Sequence, residues 1–166
     1  MDYQKDTDGC LRRLQVSNFN MDWRKSVIVL SGGFDPVHKG HLRMFREASN
    51  LSHQVIIGLN SDDWLTRKKG KPFMKFEERK EILEGFKYVN QVIPFDDSDD
   101  SACDIIEKVN SMYDTDHKIY FANGGDRGKD NVPEVDTCKE SGVIMLWGVG
   151  GGKIQSSSWL INGEEK

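Results

Sequence analysis

The sequence predicts an α/β protein with a five-stranded parallel sheet that carries helices on both faces. Three observations support this prediction: short apolar runs recur five times after residue 25, stretches with helical spacing separate them, and polar or glycine-rich loops follow them. Continuous apolar runs are typical of strands buried on both faces, and their alternation with helices favours parallel pairing. Because ligands bind such sheets beyond the carboxyl ends of the strands, we expect the functional residues in the loops after the strands.

Composition limits the function classes before any motif is considered. The chain has 166 residues, of which 37% are hydrophobic and 30% charged, and this suits one globular domain. No apolar run approaches the roughly 18 residues of a membrane span, and the net charge of -4 argues against bulk nucleic-acid binding. The three cysteines lie far apart without CxxC spacing, and no secretory signal is visible at the N-terminus. We therefore expect a soluble cytoplasmic protein with reduced thiols.

The elements follow one another regularly after a polar extension over residues 1–25, which we expect to be partly helical. The first strand is predicted at 27–30, and apolar residues at every third position between 42 and 51 indicate the first helix. Further strands are predicted at 55–59, 92–95, 118–122 and 143–147, and further helices at 75–87, 102–112, 133–140 and 156–161. A basic loop is predicted at 67–72, and the acidic run 96–100 is interpreted as a solvated loop. The chain thus divides into an extension, 1–25, and a domain, 26–166.

The most specific motif, Gly33-Phe34-Asp35-Pro36-Val37-His38-Lys39-Gly40-His41, lies directly after the first strand and opens the first helix. Two histidines three residues apart point to one place, and a helix N-terminus favours an anion there. Glycine between them lets a ligand approach the backbone closely. Imidazole donors and free amides suit a nucleoside triphosphate. Two unrelated surface histidines are the ordinary alternative, and a zinc site lacks a third ligand with suitable spacing.

Three later loops carry weaker signals of the same kind. Arg67, Lys68, Lys69 and Lys71 place four cations within five residues, which indicates either phosphate binding or a solvated loop. Gln155-Ser156-Ser157-Ser158 precedes an apolar stretch and is typical of a helix start. Its hydroxyls either hold the β and γ phosphates of a nucleotide or simply cap the helix. Asn123-Gly124-Gly125-Asp126 follows the fourth strand and permits either a tight turn or a close ligand contact.

The order and spacing of these motifs resemble the HxGH nucleotidylyltransferase superfamily of Rossmann-like α/β enzymes. The closer likeness is to the glycerol-3-phosphate cytidylyltransferases and the heptose-phosphate adenylyltransferase domains, and it runs from about residue 27 to residue 161. The resemblance implies transfer of a nucleotidyl group from CTP or ATP to a phosphorylated small molecule, with release of pyrophosphate. It also implies Mg²⁺ that accompanies the triphosphate and is held mainly by phosphate oxygens, and it makes a homodimer plausible.

The resemblance also assigns roles to individual residues. It implies that His38, His41 and Lys68 are catalytic, and that Lys71 and Lys87 lie near the acceptor phosphate. The implied nucleotide-binding residues are Gly33, Phe34, Asp35, Gly40, Gly125, Asp126, Ser156, Ser157 and Ser158. No side chain is implied as a metal ligand.

The nucleotide base stays open at this point. The spacing from Asn60 to Pro94 resembles the cytidylyl branch of the family, so CTP is the first choice. Gly151 stands where the cytidylyltransferases carry an arginine, which points away from that branch and makes ATP the alternative. A nucleotide-binding regulator without turnover is the alternative from another functional class.

Overall fold

The protein is represented by a computed structural model that describes residues 2–5, 11–14, 23–124 and 132–163. A sheet of seven strands forms its centre, in the spatial order β1-β2-β7-β6-β3-β4-β5. The strands are β1 (Asp2–Lys5), β2 (Leu11–Leu14), β3 (Ser26–Gly32), β4 (Gln54–Leu59), β5 (Gln91–Pro94), β6 (Lys118–Gly124) and β7 (Ile144–Val149). The helices are α1 (Lys39–Leu51), α2 (Asp62–Lys69), α3 (Phe76–Glu84), α4 (Cys103–Met112), α5 (Glu134–Ser141) and α6 (Ser157–Asn162).

Five of the strands, β3 to β7, form the predicted parallel sheet, and this prediction is confirmed. The core lies on both faces of the sheet, as alternate residues of β3 show. Ile28 and Leu30 pack with Phe45 of α1 on one face. On the other face Val27 and Val29 belong to a second buried cluster, which includes three residues of α4: Ile105, Ile106 and Val109. The continuous apolar run of β3 is thus buried on both sides, as helices on both faces require.

Within its described residues, the N-terminal extension contains a short 3-10 helix, Trp23–Lys25, and also strands that were not expected. The structure places two strands there, with β1 antiparallel to β2 and β2 parallel to the edge strand β7. An edge strand presents a row of unpaired backbone N–H and C=O groups, and pairing with β2 satisfies part of that row on β7. The sheet therefore has two strands more than the parallel core predicted from the sequence. The domain boundary at residue 26 stays a prediction.

The first part of the basic run, residues 67–69, is helical, whereas residues 70–72 follow the helix as predicted for a loop. Ser61 caps α2 through its Oγ, which accepts a hydrogen bond from Trp64 N at 3.0 Å. Two aspartates occupy the first turn of α2, and Arg67, Lys68 and Lys69 occupy the last turn. This charge order opposes the helix dipole at both ends and stabilises the helix. The basic side chains are thus presented from a regular helix.

The order of the strands decides where a ligand can bind. From β3 the chain passes to β4 and β5 on one side, and it then crosses back to β6 and β7 on the other side. The loops after the neighbouring strands β3 and β6 therefore run in opposite directions, and a crevice opens at the end of β3. Within the described ranges, no helix is long and apolar enough to cross a membrane.

Candidate active site

A cavity of about 810 Å³ lies at this point of divergence. Three segments form its walls: the turn from β3 into α1, the helix α2, and the loop from β7 to α6. Its volume lies within the roughly 300–1,000 Å³ that is usual for small-molecule sites. Of the predicted site residues that the structure describes, those that line it are Gly33, Phe34, Asp35, His38, Gly40, His41, Lys68, Ser156, Ser157 and Ser158.

The two histidines form a stacked pair at the start of α1. Their ring centroids are 3.7 Å apart and their planes differ by 19°. His38 Nδ1 accepts a hydrogen bond from Gly40 N at 3.1 Å, and His41 Nδ1 accepts one from His38 N at 3.2 Å. A nitrogen of a neutral imidazole that accepts a hydrogen bond carries no proton, so the proton of each ring is on Nε2. The helix cap therefore leaves both rings with one N–H donor at Nε2.

The surroundings keep both imidazoles neutral at pH 7. Burial lowers the pKa of His41 to about 3, and the neighbouring His38 contributes to the lowering. Burial also lowers the pKa of His38, with a contribution from the positive charge of Lys153. The pair thus offers two uncharged hydrogen-bond donors in a partly desolvated place. Such donors stabilise negative charge that develops on a bound anion.

Gly33 and Phe34 shape the turn from β3 into α1 that carries the histidines (the histidine turn, residues 33–41). A Cβ at Gly33 would lie 2.8 Å from Leu65 Cδ2, so that a larger residue there would require the Leu65 side chain of α2 to shift. Phe34 has a φ of 46°, an unfavourable conformation for a residue with a side chain. Its buried ring meets the ring of His41 edge-on, with centroids 4.8 Å apart. Packing of Phe34 therefore helps to orient one of the two donors.

Asp35, which the sequence predicts to bind the nucleotide, lines the cavity and also has a structural role. Its side chain is fully buried. Its Oδ2 accepts a hydrogen bond from Phe73 N and its Oδ1 one from Met74 N, both at 2.7 Å. Lys69 Nζ lies 3.2 Å from Oδ2 and completes the surroundings of the carboxylate. Asp35 therefore ties the segment between α2 and α3 to the histidine turn, because its oxygens are already occupied by these partners.

Arg79 holds the elements around the site together without lining the cavity, and the sequence did not predict this role. It is 1% exposed and its guanidinium donates to the carbonyl oxygens of Gly33, Asn60 and Met74 at 2.8–3.0 Å. It also pairs with Asp62 at 2.8 Å. These contacts join the ends of β3 and β4 to α2 and α3. In the sequence, Arg79 follows Phe76 by three positions and precedes Leu83 by four, which places it on the apolar face of the predicted helix. This spacing was the available signal that Arg79 is buried.

The acidic run after β5 is partly buried and not wholly solvated as expected. Asp97 is 4% exposed, and its carboxylate accepts hydrogen bonds from Asn60 Nδ2 and from the N–H and hydroxyl of Ser61. Arg67 donates to the backbone oxygen of Asp97 at 2.6 Å. Asp97 thereby holds the residue that caps α2, and this contact positions the basic side chains indirectly.

The predicted cations separate into those that reach the cavity and those that do not. Lys68 lines the cavity, with its Nζ 5.5 Å from the ring centroid of Trp64. Lys69 also lines it, although its ammonium group is paired with Asp35. Lys71 and Lys87 are exposed and are not among the residues that line the cavity. The structure therefore does not bring these last two lysines to the place where the histidines lie.

The loop from β7 to α6 closes the other side of the cavity. Gly150 has a φ of 86°, and a Cβ there would lie 2.9 Å from Met44 Cα. Its N–H donates to the buried carboxylate of Glu47 at 2.6 Å. Both contacts hold the glycine-rich loop tightly against α1. Loss of either would move the wall that faces the histidine pair.

The serine-rich segment lies at the end of this loop. Ser157 Oγ donates to the carbonyl oxygen of Pro36 at 2.7 Å, and this ties α6 to the histidine turn. The hydroxyls of Ser156 and Ser158 lie 2.8 Å from each other. Lys153, which precedes them, also lines the cavity, with its Nζ 4.7 Å from the ring centroid of Trp159.

Two predicted nucleotide-binding residues, Gly125 and Asp126, lie outside the described residues. Their neighbours Asn123 and Gly124 line the cavity at the end of β6. Among the described residues, no group of three or more His, Cys, Asp or Glu side chains could hold a metal ion.

Comparison with known sequences gives relatives that match part of this chain. The glycerol-3-phosphate cytidylyltransferase of Bacillus spizizenii is 39% identical over 67 residues, which are 40% of this chain and 52% of that protein. The enzyme of the same name from Bacillus subtilis is 31% identical over 48% of this chain and 62% of its own length. A bifunctional protein HldE from Campylobacter concisus is 33% identical over 52% of this chain and 18% of its own length. The matches thus span only part of each of these proteins.

Solved structures share the fold at low sequence identity. A putative nicotinate-nucleotide adenylyltransferase from Vibrio parahaemolyticus has a TM-score of 0.55 at 16% identity, over 85% of this chain and 90% of that one. A lipopolysaccharide core biosynthesis protein from Thermoplasma volcanium has a TM-score of 0.56 at 17% identity, over 73% and 93%. The family model described as cytidylyltransferase-like matches residues 29–142, which contain the histidine turn, α2 and Arg79. The chain belongs to the cytidylyltransferase-like family.

Proposed function

We propose that this protein transfers a cytidylyl group from CTP to a phosphorylated small molecule similar to glycerol 3-phosphate, with release of pyrophosphate. The observation that carries the proposal is the stacked pair of neutral histidines, His38 and His41, whose Nε2–H donors are left free by the cap of α1. The relatives named glycerol-3-phosphate cytidylyltransferase favour CTP and an acceptor of this class.

The reaction is a single displacement at the α-phosphorus. A phosphate oxygen of the acceptor forms a bond to the α-phosphorus, the bond from that phosphorus to its bridging oxygen breaks, and the electron pair leaves with pyrophosphate. No proton has to move if the acceptor phosphate is a dianion. Catalysis then consists of positioning and of stabilising the charge that develops on phosphate oxygens. The two imidazoles supply the donors, and Lys68 supplies a positive charge from the wall formed by α2.

Mg²⁺ is the cofactor that we propose with the triphosphate. It neutralises part of the phosphate charge when it is bound, and it commonly keeps several waters and needs few protein ligands. The carboxylate within the histidine turn, that of Asp35, is already used by two backbone N–H groups and Lys69. The donor set of the described residues therefore suits an ion that enters on the phosphates and not one held by a protein cage.

ATP is the second candidate donor. The cytidylyltransferases carry an arginine at the position of Gly151, and its absence removes one feature that favours CTP. A base pocket that hydrogen-bonds particular edges discriminates strongly, because the wrong base leaves buried polar groups unpaired. A kcat/KM for ATP at least tenfold above that for CTP, with the same acceptor, would replace cytidylyl by adenylyl transfer.

The experiment that tests the proposal is a pyrophosphate-release screen. The four common nucleoside triphosphates are combined with a panel of phosphorylated acceptors in the presence of Mg²⁺. We expect release only when both substrates are present, and we expect His41→Ala to lower kcat by about 10²–10³-fold. The affinity for CTP, measured by calorimetry, should change much less. Nucleotide binding without release for any pair would indicate a regulator without turnover.

The homodimer and the cytoplasmic location stay proposals that rest on the resemblance and on the pattern of cysteines. Light scattering coupled to size-exclusion chromatography measures the mass in solution, which for a monomer is the 18.9 kDa of one chain. A mass of twice that value would support the dimer.

A further inference from the structure

Two lysines of the cavity lie close to tryptophan rings, one on each side of the histidine pair. Lys68 Nζ is 5.5 Å from the ring centroid of Trp64, and Lys153 Nζ is 4.7 Å from that of Trp159. The third lysine that lines the cavity, Lys69, is paired with a buried carboxylate. Within the described ranges, neither Lys68 nor Lys153 has an ion pair with a carboxylate, so both charges are available to an anionic ligand.

The topology places these two pairs on opposite sides of the reacting groups. The histidines begin α1, directly after the central strand β3. Lys68 and Trp64 belong to α2, which follows β4 on one side of β3. Lys153 lies in the loop that follows β7, beyond β6 on the other side. The cavity thus has two flanks, one formed by α2 and the other by the loop after β7. A substrate bound across the histidine pair contacts the first flank at one end and the second at the other.

The chemistry of the proposed reaction then assigns the two flanks. In phosphoryl-type transfer the attacking and leaving oxygens lie roughly in line, on opposite sides of the phosphorus. The flank after β7 carries serine hydroxyls, Lys153 and glycines with positive φ, a set that suits a group rich in phosphate oxygens. The leaving pyrophosphate fits that flank. The acceptor must therefore approach from the flank formed by α2.

We propose that Trp64 determines which acceptors the enzyme takes, by packing against the carbon skeleton of the acceptor while Lys68 binds its phosphate. Trp64 is half-buried, lines the cavity and lies one helical turn from Lys68, so that one α2 face offers an apolar surface beside a positive charge. This combination suits a phosphorylated polyol or sugar, whose C–H groups pack on indole. The inference rests on the proposed function.

The test separates the two substrates by their kinetic constants. Trp64→Ala should raise KM for glycerol 3-phosphate at least tenfold and change KM for CTP less than threefold. Trp64→Phe, which keeps an aromatic ring, should stay within about threefold of the unchanged protein for both substrates. The matched variant on the other flank, Lys153→Met, should raise KM for CTP and weaken inhibition by added pyrophosphate, with the acceptor KM nearly unchanged.

A binding measurement makes the result independent of turnover. Calorimetry with glycerol 3-phosphate should show at least tenfold weaker binding to Trp64→Ala than to the unchanged protein, and Lys68→Met should weaken it as well. Thermal unfolding confirms that each variant is folded at the assay temperature. An unchanged acceptor affinity in Trp64→Ala, or a higher KM for CTP alone, overturns the inference. Absence of pyrophosphate release from the unchanged protein instead contradicts the proposed function.

Discussion

Replacement of Asp35 by asparagine should destabilise the protein while largely preserving nucleotide binding. The carboxylate is fully buried and uses both oxygens for the backbone N–H groups of Phe73 and Met74. An asparagine side chain keeps one acceptor oxygen, but its amide nitrogen is a donor and faces the second N–H group. The substitution therefore breaks one hydrogen bond, leaves a partly buried donor unpaired, and removes the charge that Lys69 neutralises.

The size of the effect follows from these contacts. A hydrogen bond to a charged group contributes about 1.5–3 kcal/mol, and a buried donor left unpaired costs about 1–3 kcal/mol. The ammonium group of Lys69 is partly exposed to solvent, so its pair with Asp35 adds only about 0–1 kcal/mol. We expect a loss of about 3 kcal/mol in the free energy of unfolding. For a domain of this size that corresponds to a Tm lower by about 6–12 °C.

Urea and thermal unfolding measure the stability, and calorimetry measures the affinity for CTP. Asp63→Asn, an exposed position in the first turn of α2, is the matched control and should change the stability by less than about 0.5 kcal/mol. The affinity of Asp35→Asn for CTP should stay within about threefold of the original. A stability equal to that of the control, together with a tenfold weaker affinity, would refute the structural role and support Asp35 as a nucleotide ligand.

Three further predictions concern the pH dependence, the glycine-rich loop and the basic helix. The pKa of His41 falls from 6.5 to about 3 on folding. Between these pH values the unfolded chain therefore binds a proton at His41 that the folded chain does not bind. Stability present above pH 6.5 is then lost as the pH falls towards 3, by up to about 1.4 kcal/mol per pH unit, and His41→Gln should flatten this slope in urea titrations. Gly150→Ala should destabilise more than Gly148→Ala in the same assay, since both have positive φ but only the first meets the backbone of α1. Lys68→Met should lower kcat/KM at least tenfold, whereas Lys71→Met should stay within threefold, because only Lys68 lines the cavity. Equal effects of the two substitutions would contradict the assignment of Lys68 as the lysine that contacts the substrates.

The elements with strong local signals were predictable. The five parallel strands agree with the continuous apolar runs, and the histidine turn lies at the carboxyl end of the first of them. The error at residues 67–69 arose because a run of cations suggests a loop. The cap of α2 was nevertheless visible in Ser61 and the two aspartates after it. A local capping signal therefore deserved more weight than the local charge.

Two aspartates have structural partners far away in the chain that the sequence did not indicate. Asp35 lies in the most specific motif and was expected to bind the nucleotide, but its hydrogen-bond partners are 38 and 39 residues away. Asp97 was interpreted as part of a solvated run, although it holds Ser61, 36 residues earlier. The two strands of the extension likewise depend on pairing with β7, more than 130 residues later. No local pattern records such contacts.

The sequence by itself determined the parallel sheet, the place of the histidine turn and the class of ligand that suits it. These follow from the period of apolar residues and from residue types at a helix start, which are local properties. Only the tertiary structure decided that His38 and His41 stack with Nε2–H free, that Lys68 reaches the cavity while Lys71 does not, and that the carboxylate of Asp35 accepts hydrogen bonds from the backbone of a later segment. The physical reason is that desolvation, ring stacking and hydrogen-bond partners depend on distances between segments, and those distances are set when the sheet assembles.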